Sequence, residues 1–201
     1  MDQAQLKSRF QKYFLDLSAR ELGSNGIDWS LLNLPIEVHS VEKGDYLFQQ
    51  GDVVNRLYFL SVGLVRYVSV SDTGKEFTQT LVKGPRIIGS TRAMVTESNA
   101  LFGIQALESS IILSYPWKAF YNKMREDKAF LECYAHFLEQ IFIAKEERES
   151  AFVKLSAERR YLDFCADFPE LKSVIPQQYI ASYLGITPVA LSRIRKRLQT
   201  S

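Results

Sequence analysis

Near its C-terminus the chain sets Arg193, Arg195, Lys196 and Arg197 close together, with no acidic side chain from Arg193 to Ser201. Cations at that spacing do not make or break bonds. The chemistry open to them is recognition of phosphate oxygens and of hydrogen-bond acceptors on base edges. At about 100° per residue on a helix, Val189, Arg193 and Lys196 share one side. Ala190, Ser192 and Arg197 lie beside it, opposite an apolar stripe of Leu191, Ile194 and Leu198. Arginine pairs bidentately with N7 and O6 of guanine and valine touches a thymine methyl, whereas Lys196 and Arg197 suit phosphates. Arg195 borders the apolar stripe, so its stem should pack and its head should snorkel outward.

The elements that must position this face precede it. Ile180 and Leu184 fall four apart on one side of a first helix, and Ala181 between them lets a second helix approach. Gly185 then ends that helix, since glycine enters the left-handed conformation freely, and Ile186 can turn inward between the two helices. Thr187 followed by Pro188 reads as a helix start, because threonine caps and proline's missing N–H would have been unpaired there. Ile175 to Leu198 therefore reads as a helix-turn-helix. A plain amphipathic hairpin with a solvated basic face accounts for the charges, but not for turn glycine, cap and proline together.

The whole chain has 201 residues, 46% of them hydrophobic, which permits one large domain or two small ones around a real core. A net charge of +2 is too small to identify a nucleic-acid partner, so the local cluster carries that reading. No stretch is apolar enough to span a bilayer, and the opening MDQAQLKSRFQKYF lacks a signal-peptide core. A cytoplasmic location and no membrane partner are expected. Cys133 and Cys165 should be reduced, mostly buried small hydrophobes. His39 and His136 lie in different elements without ligand spacing, so no metal site is expected. Two cysteines cannot build a four-thiolate iron–sulfur site. With no GxSxG, Walker loop, HExxH or GxGxxG, the chain offers no catalytic residues, and an enzyme is not expected.

From the N-terminus, Leu6, Phe10, Tyr13, Phe14 and Leu17 recur at helical spacing, and this helix is expected to end near Leu22 to Gly26. The period then changes to 2, with EVHSV, DYLFQQ, RLYFL, LVRYVSV, EFTQTLV, LFGIQAL and SIILSY as candidate strands. Glycines at 44, 51, 63, 74 and 89 punctuate them, which implies a closed or double-sheet β structure. Near Tyr115-Pro116-Trp117 the helical period returns, and Phe130, Tyr134, Phe137, Leu138 and Ile141 form an apolar stripe on a longer helix. KEERES at 145–150 reads as a solvated face. The stripe is expected to pair with its twin, since recognition helices of a dimer lie about one DNA turn apart.

EKGDYLFQQGDVVNRLYFLSVGLVRY resembles the β-roll of the cyclic-AMP receptor and fumarate-nitrate regulator (Crp/Fnr) family. AERRYLDF, FPEL and IPQQYIASYLGITPVALSRIRKRL resemble that family's DNA-binding end. The resemblance implies an α+β chain. Its parts are an N-terminal jelly-roll (cyclic nucleotide-binding-like) domain, a long dimerisation helix, and a C-terminal winged-helix-like helix-turn-helix domain with reduced or absent wing. An effector or sensor domain at 1–152 would contain the roll at about 27–115 and the dimer helix at about 126–152, with the DNA-binding domain at 153–201. The implied partners are double-stranded DNA, a second copy of the chain and RNA polymerase. Thr187, Pro188, Val189, Ser192, Arg193, Lys196 and Arg197, on a helix over 187–199, would face the DNA.

Three departures qualify what the resemblance implies. Pro188 and Val189 stand where the cyclic-AMP receptor pattern has charged base-reading side chains, so the DNA site must differ. The flanking strand hairpins of larger members have no room between Phe168 and Pro176. The phosphate cassette keeps Gly89 but has Ser90 where nucleotide binders carry glutamate, and Ala100 falls at the position of the phosphate-binding arginine. A buried phosphate without its charge partner keeps its desolvation cost, so cyclic AMP is not an expected ligand and no cofactor is implied. Arg86 and Arg92 flank the cassette. Gly89, Ser90, Thr91, Ser98 and Asn99 are then left to line a site for another small molecule, or the space is filled by side chains. The rival reading is a cyclic-nucleotide-binding-like regulatory or scaffold module whose helical tail binds a protein partner. Such a tail more often exposes an apolar stripe than an arginine-rich face.

Overall fold

The computed structural model describes residues 1–18 and 27–199, the side chains at 31, 32, 172 and 173 excepted. The helix end expected near Leu22 to Gly26 lies outside the described residues. Helix α1 (Gln3–Ser18) opens with a capping box: the Gln5 N–H donates to Asp2 Oδ1 at 2.8 Å, and the Gln5 side chain returns to the Asp2 N–H at 3.1 Å. Leu6, Phe10 and Phe14 on its inner face are fully buried.

Among the described residues eight strands follow: β1 (Glu37–Val41), β2 (Tyr46–Phe48), β3 (Arg56–Val62), β4 (Leu64–Val70), β5 (Glu76–Lys83), β6 (Arg86–Ile88), β7 (Gly103–Ala106) and β8 (Ser110–Pro116). They form two antiparallel four-stranded sheets, ordered β1-β8-β3-β6 and β2-β7-β4-β5, with the core between them. Every strand expected from alternation is present. Strand β6 and helix α2 (Thr91–Thr96) are additional, and both are too short for a period to register. Strand β6 is recognisable only by its pairing with β3, Tyr58 opposite Ile88.

Helix α3 (Trp117–Met124) starts directly after Pro116, and α4 (Lys128–Lys154) runs for 27 residues from an Asp127 cap that accepts the Phe130 N–H at 3.0 Å. Here one expectation is corrected. Phe130, Tyr134 and Phe137 are buried within their own chain and so do not form a pairing face. Phe130 meets Phe14 at 5.2 Å and Phe120 at 5.4 Å between ring centroids, and Tyr134 meets Trp117 at 6.1 Å. A row of exposed apolar residues lies about a third of a turn away: Leu131, Ala135 and Phe142, with Leu138 half-buried among them.

Helices α5 (Ala157–Asp167), α6 (Leu171–Val174), α7 (Gln177–Tyr183) and α8 (Pro188–Gln199) complete the chain. The described residues from 155 to 199 contain no strand, so the reduced or absent wing is absent there. These helices gather around Tyr161, Phe164, Leu171, Ile175, Ile180, Leu184, Leu191 and Ile194. Leu64, Leu81 and Leu107 of the β-roll belong to the same cluster, so the two units expected from the sequence share a core.

Candidate nucleic-acid interface

The turn between α7 and α8 is a Schellman motif. The Ile186 N–H donates to the Ala181 carbonyl at 2.9 Å and the Gly185 N–H to the Ser182 carbonyl at 3.0 Å, with Gly185 at φ +68°. Ile186 turns in against the helical cluster, as its position suggests. A second demand also falls on Gly185: a Cβ there would stand 2.7 Å from Cε1 of Phe152.

Two arginines that the sequence reading passed over hold the end of α7. Arg148 Nη2 donates to the Tyr183 carbonyl at 2.7 Å, and Arg160 Nη2 to the Leu184 carbonyl at 3.1 Å. Both guanidinium groups also lie over the Phe152 ring, at 4.9 and 4.8 Å from its centroid. Cations on the last carbonyls of a helix satisfy groups without an intrahelical partner and suit the negative end of its dipole. Arg148 sits in KEERES, so the solvated reading of that stretch fails at this residue. Burial holds its pKa below the ordinary arginine value. The only sequence signal was its spacing of four from Phe152 on one helix.

Helix α8 has the predicted sidedness. The Thr187 hydroxyl accepts the Ala190 N–H at 3.1 Å, Pro188 is the first helical residue, and Leu191 and Ile194 are buried. Val189, 62% exposed, lies on the outer side with exposed Ser192, Arg193, Lys196 and Arg197. Arg195 is half-buried, as its place beside the stripe implies. Arg197 makes an ion pair with Glu158 of α5, so a phosphate there must compete with a carboxylate.

Of the five candidate effector residues, Ser90 is buried, Gly89 and Ser98 are half-buried, and Thr91 and Asn99 are exposed. Gly89, at φ +137°, donates its N–H to the Tyr67 hydroxyl at 3.1 Å. Ser90 is buried and caps α2 through the Ala93 N–H at 3.3 Å, and Thr91 begins that helix. Arg92 closes the loop, donating to Ser98 Oγ at 2.7 Å and to the Asn99 carbonyl at 3.2 Å. Ala100, at the position of the family's arginine, is buried, and its backbone pairs with Gly51 and Asp52. Aromatic rings fill the neighbourhood. Tyr67 stacks on Phe102 at 4.8 Å, Phe48 tilts against both Phe102 and Tyr58, and burial pushes the Tyr67 phenol up to about 12.

The two histidines lie on different elements, and so do the two cysteines. His39 hydrogen-bonds Ser114 Oγ at 2.8 Å, and burial lowers its pKa. His136 lies on α4, Cys133 is buried against the Phe14 carbonyl, and Cys165 is half-buried on α5. No group of three His, Cys, Asp or Glu able to hold a metal occurs among the described residues. No helix among them is long and apolar enough to cross a membrane.

Residues 38–127 match the cyclic nucleotide-binding domain family. The chain is 24% identical over 180 residues to the Anaerobic regulatory protein of Pasteurella multocida, covering 79% of this chain and 62% of that protein's length. It is 25% identical over 181 residues to the Transcriptional activator protein Anr of Pseudomonas protegens, covering 79% of this chain and 69% of that protein. Among solved structures, FixK2 from Bradyrhizobium japonicum superposes with a TM-score of 0.69 at 14% identity, over 83% of this chain and 86% of that one. With the antiparallel roll, the long helix and the helix-turn-helix in this order, the chain is similar in fold to regulators of the Crp/Fnr family.

Proposed function

We propose that this chain is a DNA-binding transcription regulator, not an enzyme, which reads a roughly palindromic site as a homodimer through residues 187–199. The observation that carries the reading is the outer side of α8. There Val189, Ser192, Arg193 and Lys196 face outward together while the helix is anchored by Leu191 and Ile194. A major groove accepts a helix of this width, and the side chains on offer suit guanine, a thymine methyl and phosphates. Residues 1–152 then act as the sensor and residues 153–201 as the DNA-binding part. The second copy covers Leu131, Ala135, Leu138 and Phe142 on α4, because an apolar stripe on a long helix is most simply buried by isologous pairing.

Cyclic AMP is not the effector in this reading. The cassette offers Ser90 and Ala100 in place of a ribose-binding carboxylate and a phosphate-binding cation, and Tyr67 already occupies the Gly89 N–H. Another small molecule at Gly89, Ser90, Thr91, Ser98 and Asn99 would have to displace the phenol. DNA places the protein in the cytoplasm, and an activating role adds contact with RNA polymerase. Selection of bound duplexes from a random pool, at a stated salt concentration, tests the proposal. Enrichment of an inverted repeat is expected; a pool that stays random refutes DNA reading, and enrichment of a single half-site refutes the dimer.

A further inference from the structure

Arg66 is only 1% exposed, although it carries a full charge on a strand whose outer side should face water. Burying a guanidinium is costly unless its donors are met. Here the roll meets them. Nε donates to Gln105 Oε1 at 2.8 Å, Nη1 to Thr78 Oγ1 at 3.3 Å, and Nη2 to the Glu76 carboxylate. These bonds lock the group with one flat face outward. The ring of Tyr179, from α7, covers that face with its centroid 3.6 Å from Cζ. A stacked, desolvated arginine of this kind is among the stronger cation–π arrangements.

The contacts around the stack repeat the same relation between roll and α7. The Thr78 N–H points away from β4, off the free edge of β5, and donates to Ser182 Oγ at 2.8 Å. Helix α7 thus covers an edge strand, the usual liability of an open sheet. Lys83 at the end of β5 pairs with Glu170, and Leu64, Leu81 and Leu107 enter the helical cluster. The first helix of the helix-turn-helix is therefore seated on the roll itself and not only tethered through α4 and α5. The seated arrangement leaves the outer side of α8 exposed.

We infer that Arg66 is a positioning residue for DNA recognition: stacked on Tyr179, it seats α7 on the β-roll and so sets where the recognition helix stands relative to its twin. This rests on the DNA-binding reading above. Arg66 cannot itself be a DNA contact while buried under Tyr179. Its effect therefore belongs to the placement of two helices on a two-part site, where a correctly spaced second contact multiplies affinity and a misplaced one does not.

The test compares the full chain with its Arg66→Gln and Tyr179→Leu variants on two duplexes at one salt concentration, a full inverted repeat and a single half-site. Each variant should keep its half-site affinity and base preference while its full-site affinity falls on the order of tenfold or more. Hydrogen exchange at the Thr78 amide should quicken in both variants without DNA, which reports unseating directly. Full-site affinity unchanged in both variants overturns the proposal. So does an equal loss on both duplexes, which marks a role in folding alone. If Arg66→Gln fails to fold, Tyr179→Leu decides by the same ratio, since it removes the same stack while leaving the roll's own bonds to Arg66 in place. A wild-type chain that binds neither duplex refutes the DNA-binding reading and this inference with it, whereas a wild type that gains on the full site isolates the role of Arg66.

Discussion

Arg66 and Tyr67 are consecutive on β4 and engage opposite sides of the same sheet. The Tyr67 hydroxyl accepts the Gly89 N–H at 3.1 Å inside the roll, and the Arg66 guanidinium lies 3.6 Å from the Tyr179 ring centroid outside it. Alternation along a strand places them so. One residue step thus separates the cassette from the face on which the helix-turn-helix rests. A molecule that takes the Gly89 N–H must move Tyr67, whose neighbour seats α7.

Burial raises the phenols of Tyr67, Tyr115 and Tyr134 to about 12 from an ordinary 10. Above pH 10 the unfolded chain loses these protons first, so the folded state binds more protons and stability must fall as pH rises. The contribution is complete below pH 10 and is lost on the way to 12, at up to about 1.4 kcal/mol per pH unit for each phenol. Urea unfolding across this range should show the fall, and Tyr67→Phe should make it shallower. An unchanged slope in that variant would show that Tyr67 titrates normally.

Calorimetry with cyclic AMP and cyclic GMP should show no saturable binding at low micromolar concentration. Saturable heat there would mean that another cation, with Arg92 the first candidate, takes the phosphate after releasing Ser98 and Asn99.

Arg193→Ala should cost about 1 to 3 kcal/mol in specific binding and relax preference at one base pair, whereas Lys196→Ala should weaken all sequences alike and flatten the salt dependence. Binding isotherms on a small panel of single-base variants at two salt concentrations separate these outcomes. A uniform loss from both substitutions would make Arg193 a phosphate contact.

Gly185→Ala meets two obstacles, a left-handed backbone at φ +68° and the Phe152 ring 2.7 Å from the new Cβ. The backbone part alone costs about 1 to 2 kcal/mol. Thermal or urea unfolding should show at least that loss. In a Phe152→Ala background only the steric part should disappear, leaving the backbone part. Full recovery in that background would mean that the conformation is not strained for alanine.

Phe142, 63% exposed on α4, belongs to the face assigned to the second copy. Phe142→Glu should shift the chain to monomer in sedimentation at micromolar concentration while the far-ultraviolet spectrum stays unchanged. Phe137→Glu, by contrast, places a charge in the chain's own core and should unfold it. A Phe142→Glu chain that remains dimeric moves the interface elsewhere.

What the sequence determined by itself was whatever depends on neighbours in the chain. The turn at Gly185, the cap at Thr187 and the strands EVHSV and LVRYVSV follow from local dihedral preferences and from periods of 3.6 and 2, which need no knowledge of distant partners. The outward face of α8 was legible for the same reason: once Leu191 and Ile194 are assigned inward, geometry assigns Arg193 and Lys196 outward. Tertiary structure decided the rest. On α4 two apolar stripes compete, and only the arrival of Phe14, Trp117 and Phe120 shows that Phe130, Tyr134 and Phe137 are the ones covered. In LVRYVSV, alternation puts Arg66 on the side opposite Val65 and Tyr67, which pack into the roll. It is buried because Tyr179, from the far end of the chain, closes over it, and because Gln105, Thr78 and Glu76 converge on its donors. Arg148 and Arg160 likewise find their partners in the carbonyls of Tyr183 and Leu184. Such partners are chosen by how the chain closes on itself, and a charged side chain leaves no trace in hydrophobic periodicity of which distant group will meet it.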